Sequence, residues 1–299
     1  MSRFIDSQRA DYGIPYATAC RALGVSPAWL YKWRHGDASP RHARRVALTA
    51  EIKRLFAKHK ARYGSPRITA DLREAGWKVS VNTVAAIMRE QRLVSRPKRH
   101  RSSTTRQDKG RWRAPDLVKR HFEADRINHK WYADGTEVET DEGKLQLDSV
   151  LDMGSRRVVG FAIGEHHDAD LACGALSMAI AVRGGKEAIA GVIMHTDQGS
   201  EFTAHVFRAA CQRCGIRQSM GRPGSGLDNA VIESWHSTVE FELRMLEHFD
   251  TKAQARKQIV AWIEDYNSER RHSALSMRAP LQHEQTLRQD DGQGPGAAA

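Results

Sequence analysis

The order of hydrophobic periods after Lys130 narrows the fold more than any other feature of this sequence. KWYADGTEVET and KLQLDSVLDM read as strands joined by the turn DEG, and RRVVGFAIG reads as a third. Helical periodicity takes over from about Asp168 to Arg183. Strand GVIMHTD, helix TAHVFRAACQRC and strand IRQSM follow. Beyond the glycine-rich loop GRPGSGLDN the pattern predicts a long helix, then another from Thr251 to Asn267. Three hairpin-linked strands followed by alternating helix and strand describe a mixed α/β sheet.

The part before this sheet has a different grammar. In YATACRALGVSPAWLYKW, Ala19, Leu23, Leu30 and Trp33 mark the apolar faces of two short helices. Gly24 ends the first helix, and Ser26 caps the second with Pro27 at its first position. A second unit, YGSPRITADLREAGWKVSVNTVAAIMRE, repeats the design. Ile68 and Leu72 share a face, Gly76 breaks the helix and Ser80 caps the next, on which Val84, Ile87 and Met88 recur. Helix, tight turn, helix is a geometry that can set a helix in the DNA major groove. Residues 95–115 have no apolar period. The expected organisation is a helix-turn-helix region over 1–94, a basic linker over 95–118, a catalytic core with C-terminal helices over 119–285, and a flexible tail over 286–299.

Charge is sorted along the chain in a way that fits this division. Residues 1–94 carry 18 Lys/Arg against 7 Asp/Glu, and residues 95–113 carry 8 against a single Asp. The remaining 186 residues carry 21 against 28. A basic front neutralises phosphates, and an acidic back holds cations. Four cysteines, with Cys211 and Cys214 in one helical CxxC, make neither a disulfide framework nor a zinc site and are expected as helix thiols. His166 and His167 add no familiar ligand pattern to them. The longest apolar stretch, LACGALSMAIAV, is too short to span a bilayer. The first residues lack an export signal, so a cytoplasmic protein without membrane contact is expected.

Three acids stand out on the predicted sheet. Asp134 lies within the first strand, Asp197 at the end of the fourth in HTDQGSEF, and Glu233 near the start of the long helix. The intervals between them are 62 and 35 residues. The helix stripe Ile232, Trp235, Val239, Leu243 and Leu246 is apolar, with Asp228 or Asn229 as cap. Glu233 borders this stripe, where it can reach the strand ends at which ligands of open α/β sheets gather. Converging carboxylates repel one another unless cations lie between them. Hard oxygen donors favour magnesium or manganese, and a pair of such ions about 4 Å apart can activate a hydroxyl and stabilise a leaving oxygen. His195 and His236 lie near enough in sequence to order such a site from behind, and His195 reads equally well as a packed, hydrogen-bonded histidine.

With WYADGT, HTDQGSEF, DNAVIES and YNSERRH in this order, and LGVSPAWLYKW and YGSPRI before them, nearly the whole chain resembles the downstream-frame product of insertion-sequence family three transposases. The catalytic half of that family is similar to the retroviral integrase core. The resemblance implies an RNase H-like fold in which Asp134, Asp197 and Glu233 are the DDE triad and hold two Mg2+ or Mn2+ ions. It implies 3′-end cleavage and strand transfer on double-stranded DNA, with terminal inverted repeats bound by the helical units. A synaptic homo-oligomer is implied as well, with an upstream-frame partner or fusion as a further possibility. Arg67, Lys98, Arg99, Arg101, Arg222, Asn229, Arg270 and His272 are the expected DNA contacts, although Arg270 and His272, with Tyr266 and Asn267, read at least as well as a brace of the final helix. Three residues depart from the family pattern: Gly135 stands where a β-branched residue is usual, Phe202 where a tyrosine is, and Glu240 where a Lys or Arg is.

Other readings remain at this stage. A tyrosine recombinase would use Tyr266 with Arg270 and His272, although in that class the tyrosine follows its partners. A non-catalytic DNA-binding repressor derived from a mobile element would need no triad, and a stand-alone nuclease of RNase H type would need no helix-turn-helix units. The chain contains no GxxxxGK[ST] phosphate loop, which fits strand transfer without ATP.

Overall fold

The computed structural model describes residues 1–34, 39–95, 112–221, 230–244 and 247–292. Two compact units divide at Ser95/Arg96, within a residue of the expected end of the helical region.

The first unit is all helix. α1 (Ser2–Tyr12), α2 (Tyr16–Ala22) and α3 (Pro27–Arg34) close around Ile5, Ala19, Cys20 and Leu30. The Ser26 hydroxyl accepts from Trp29 N at 3.1 Å, as a cap should. α4 (Pro40–Lys58), α5 (Ser65–Glu74) and α6 (Val81–Glu90) form a second core of Leu48, Ile52, Leu55, Ile68, Leu72, Val84, Ile87 and Met88. Gly76 ends α5 at φ +85°, and Ser80 caps α6 by accepting from Thr83 N at 3.1 Å. α4 completes what was expected to be a two-helix unit. Its start is written in the sequence as Ser39-Pro40, a cap followed by proline at the first helical position.

The second unit holds a five-stranded sheet in the order β3-β2-β1-β4-β5. β1 (Lys130–Thr140), β2 (Gly143–Asp152) and β3 (Val158–Gly164) are antiparallel neighbours. β4 (Ile193–Thr196) runs parallel to β1, and β5 (Arg217–Met220) runs parallel to β4. Alternate residues of β1 enter different cores. Trp131 and Ala133 pack with α7 (Ala169–Val182) and α9 (His205–Arg213), whereas Tyr132 packs with α10 (Ala230–Val239) and α11 (Lys252–Ser268). Both faces are therefore covered, and the long apolar runs follow from that.

α7 lies unusually close to β3. A Cβ on Gly160 would stand 2.2 Å from the Ala175 carbonyl oxygen and 2.7 Å from Ala179 N, both backbone atoms that cannot step aside. Gly160→Ala should therefore cost about 3 kcal/mol, the upper range for overpacking, read as faster hydrogen exchange of β3 amides.

Three expectations change. The helix foreseen over residues 203–214 starts as a separate turn, α8 (Ser200–Thr203), before α9. The single long helix becomes α10 followed by a π-helical turn, Glu240–Arg244, which shifts the helical phase while keeping Phe241 and Leu243 buried. The tail placed at 286–299 is helical as far as Gly292, because α12 (Pro280–Gly292) is anchored by buried Glu284. The caps expected at Asp228 or Asn229, and Leu246, lie outside the described residues. Cys211 is buried and Cys214 half-buried, both as free thiols.

Candidate active site

The parallel pairing of β1 with β4 sets the centre of the site. Tyr132 is level with His195, so Asp134 and Asp197, each two residues further on, leave adjacent strands at the same height. Both are half-buried. Asp134 Oδ1 accepts from Gly135 N at 2.9 Å, and Asp197 Oδ1 accepts from Gly199 N at 2.8 Å. Loss of solvation pushes the Asp134 carboxyl well above its ordinary range, and Asp197, Glu201 and Asp148 push it further. Asp197 is raised too, first by loss of solvation, with Asp148 adding to the rise and His167 opposing it. Converging carboxylates in a partly dry pocket suit a cation, whose charge would reverse both shifts.

α10 covers this pair from the side of the Tyr132 core. Ile232, Trp235 and Val239 are buried as the stripe required. Glu233 lies half-buried in the first turn of α10, and its carbonyl accepts from the Ser237 hydroxyl. His236, three residues on and therefore on the same face, places Nδ1 3.5 Å from Asp134 Oδ2. Burial, with Arg244 adding, lowers the His236 ring to about 4, so it is neutral at physiological pH. The structure thus joins Asp134 to Asp197 and brings the Glu233–His236 face of α10 against Asp134. It does not close all three carboxylates into a tight cage. Among the described residues, the one group of three or more ligand atoms within 4.8 Å of one another is the exposed trio Asp141, His248 and Asp250.

Other expected site residues have different occupations. His195 is 1% exposed, shares Nδ1 with the Ser219 hydroxyl at 2.8 Å and packs edge-on to Tyr132. It is a packed, hydrogen-bonded core histidine. Arg270, expected on DNA, is 7% exposed and grips Glu242 through Nε and Nη2 at 2.8–3.0 Å. His272 lies against Arg270 Nη1 and the Tyr266 ring. Asn267 spans both polar groups of Val158 at 2.9 Å. YNSERRH is therefore an internal brace tying α11 to β3 and to the π turn. Tyr266 itself is 3% exposed among Trp235 and Trp262, which removes it as a nucleophile. Arg67 lies on α5 with its guanidinium 5.1 Å from the Tyr63 ring centre. Lys98, Arg99, Arg101, Arg222 and Asn229 lie outside the described residues.

Sequence reasoning missed Asp148, Glu201 and the part played by His167, which crowd the other side of the aspartate pair. Asp148 could have been noticed as an acid inside the apolar strand LQLDSVL, level with the small Gly135.

Comparison with known proteins gives concordant results. Residues 124–226 and 214–280 match two families described as Integrase core domain, and residues 43–101 match one described as HTH-like domain. The transposase InsF of insertion sequence IS3A from Escherichia coli (strain K12) is 35% identical over 284 residues, covering 94% of this chain and 97% of the relative. The transposase of insertion sequence element IS904 from Lactococcus lactis subsp. lactis (strain IL1403) is 32% identical, over 84% of this chain and 98% of its own. Among solved structures, the catalytic core domain of BIV integrase overlays 56% of this chain and 99% of its own at 18% identity, with a TM-score of 0.43.

Proposed function

This chain belongs to the family of IS3-type insertion-sequence transposases, and on that premise we propose that Asp134, Asp197 and Glu233 are the acids that carry its chemistry. It is a DNA transposase with an integrase-type core, a polynucleotidyl transferase. The observation that carries the assignment is the register of β1 and β4, which sets two aspartates side by side where like charge is already strained.

The donors fit a hard divalent ion. Carboxylate oxygens predominate, Gly135 N and Gly199 N each hold one oxygen in place, and His236 is neutral beside Asp134. Asp134, Asp197 and Glu233 would hold a pair of Mg2+ or Mn2+ ions. Bound there, the ions supply positive charge that activates an attacking hydroxyl and stabilises a leaving oxygen. The chain's own part is positional. β1 and β4 fix two acids, while α10 presents Glu233 on the same face as His236, nearly one turn further on, which lies beside Asp134. In the first step water cleaves a phosphodiester and frees a 3′-hydroxyl at the element end. In the second, that hydroxyl attacks a target phosphodiester and displaces a 3′-oxygen, with no bond to the protein. The helical units, including the HTH-like segment 43–101, would bind the terminal inverted repeats. Two ends held together call for a synaptic homo-oligomer acting on the nucleoid in the cytoplasm. Fusion to an upstream-frame product is a further step in the same reading.

Strand joining on oligonucleotides bearing the flanking repeats tests the proposal. Chelation should abolish joining and added Mg2+ or Mn2+ should restore it; joining that persists in chelator would sink the reading. His236→Ala should slow joining by about 10–100-fold, the usual cost of removing a group that orients a ligand, with end binding unchanged. An equal loss of end binding would show instead that α10 had unfolded.

A further inference from the structure

A second group of charges lies beside the aspartate pair, and the proposed chemistry makes no use of it. Asp148 in β2 is 1% exposed, and Glu201 in α8 is 5% exposed. His167, in the segment between β3 and α7, inserts its ring between them. Nε2 lies 3.3 Å from Asp148 Oδ1 and 3.4 Å from Glu201 Oε1. Gly135 makes this possible. A Cβ there would stand 2.3 Å from His167 Nε2 and 2.6 Å from Asp148 Oδ1, so a side chain at 135 would evict the ring.

Among the described residues, neither Asp148 carboxylate oxygen has an aligned hydrogen bond. A buried carboxylate without compensation costs several kcal/mol, and here it stands beside Asp134 and Asp197, which already repel each other. Left open, the Asp148–Glu201 nook would offer hard oxygen donors in a partly dry pocket, the same inducement to a cation that the catalytic pair offers. With the ring in place, however, the two carboxylates and the imidazole do not form a ligand set within 4.8 Å.

We propose that His167 is a positioning residue for the catalytic ions: its imidazolium occupies the Asp148–Glu201 nook as a built-in cation and leaves divalent ions to gather at Asp134 and Asp197. This rests on the proposed reading of those aspartates as ligands. The ring carries the charge that the role requires, because the Asp148 carboxylate against it, aided by Glu201, raises its pKa to about 9 despite partial burial. A chain-borne cation also lets this side of the pocket fold before any ion arrives.

Bound Mn2+ per chain, counted by electron paramagnetic resonance, is the readout that a merely structural histidine would not move. His167→Gln keeps a similar shape and loses the charge. It should bind an additional Mn2+ ion relative to the unchanged chain, and strand joining in Mg2+ should fall about 10-fold or more as ions are misplaced. Adding Asp148→Asn to that variant should remove the extra ion and recover most of the joining. An unchanged ion count in His167→Gln, or an extra ion that survives Asp148→Asn, overturns the proposal. If His167→Gln does not fold, folding recovered in the double variant supports the charge role, and failure of both overturns it. Asp134→Asn in an otherwise unchanged chain separates the two ideas. Its own loss of bound Mn2+ reports on the aspartate pair, whatever His167 does.

Discussion

Asp197→Asn should abolish strand joining, by about a thousandfold or more, while making the metal-free protein no less stable than before. The first half follows from the proposal that Asp197 is a ligand of divalent ions, so that its loss removes negative charge from the pocket that would gather them. Such charge stabilises the transition state by several kcal/mol, and about 4 kcal/mol is about a thousandfold in rate. The second half follows from the raised carboxyls. Asp134 and Asp197 both titrate above their ordinary range because burial disfavours the charged forms, with repulsion from Asp148 adding at both and from Asp197 at Asp134. For acids raised on folding, the folded state binds more protons than the unfolded state between the two pKa values, so stability falls as pH rises through that window. Asparagine keeps the Oδ1 acceptor for Gly199 N and discards the charge. The variant should therefore show a shallower loss of stability with rising pH in chelator, alongside intact binding to the element ends. Thermal unfolding across pH and gel-shift binding read these two outcomes. A variant that joins strands, or one that loses end binding and stability together, contradicts the assignment.

Much of this was legible in the sequence because it depended on local patterns. The β1 segment KWYADGTEVET is a strand over its whole length, and Thr251 caps α11 by accepting from Gln254 N. Caps, turn residues and two-residue alternation act over a few positions, so a single chain displays them. The Asp134–Asp197 pair was visible for a related reason: each acid interrupts or ends an apolar run. What stayed hidden depends on which strand lies beside which. Nothing local says that β4 inserts beside β1 and not beside β3, yet that choice alone makes Asp134 and Asp197 neighbours. Asp148 and Glu201 are 53 positions apart in sequence, and only the close approach of β2 and α8 across Gly135 and His167 brings them together. Arg270 and His272 could be read from the sequence either as phosphate contacts or as a brace of the final helix, and the fold takes the second. Basic residues late in a DNA-handling chain suggest phosphate, but Glu242 on the π turn takes Arg270 inside the fold. The π turn was itself unreadable, since buried apolar residues lie on both sides of the phase shift it introduces, Val239 before it and Phe241 and Leu243 within it.

The largest expected effect on stability lies away from the active site, at Arg183. Its side chain is 0% exposed at the end of α7, where Nη2 meets Asp152 Oδ2 at 2.9 Å and Nη1 meets Glu284 Oε1 at 2.6 Å. Asp152, also fully buried, ends β2 and accepts from the backbone N–H groups of Asn128, Gly154 and Ser155 and from Trp131 Nε1. Glu284 adds Arg157 and Arg288, each at 3.0 Å, so one network ties β2, α7 and α12 together. Removing one member of a buried pair strands the others without compensation. Arg183→Met should cost about 3–5 kcal/mol for that reason, although the methionine fills much of the space. The dependence on pH tells this apart from lost packing. Burial alone would raise the Glu284 carboxyl, but Arg183, Arg157 and Arg288 together bring it below its ordinary value. A depressed acid stabilises the fold above its unfolded pKa, and that contribution fades as pH falls through the folded value. In Arg183→Met the main partner is gone, so Glu284 is costly while charged and relieved by protonation. The deficit should be greatest at neutral pH and shrink toward about pH 4, near the ordinary carboxyl range. Hydrogen exchange of β2 amides, measured at both ends of that interval, reads the unit concerned without requiring the whole chain to unfold as one. A deficit that stays constant with pH would assign Arg183 to packing and not to charge.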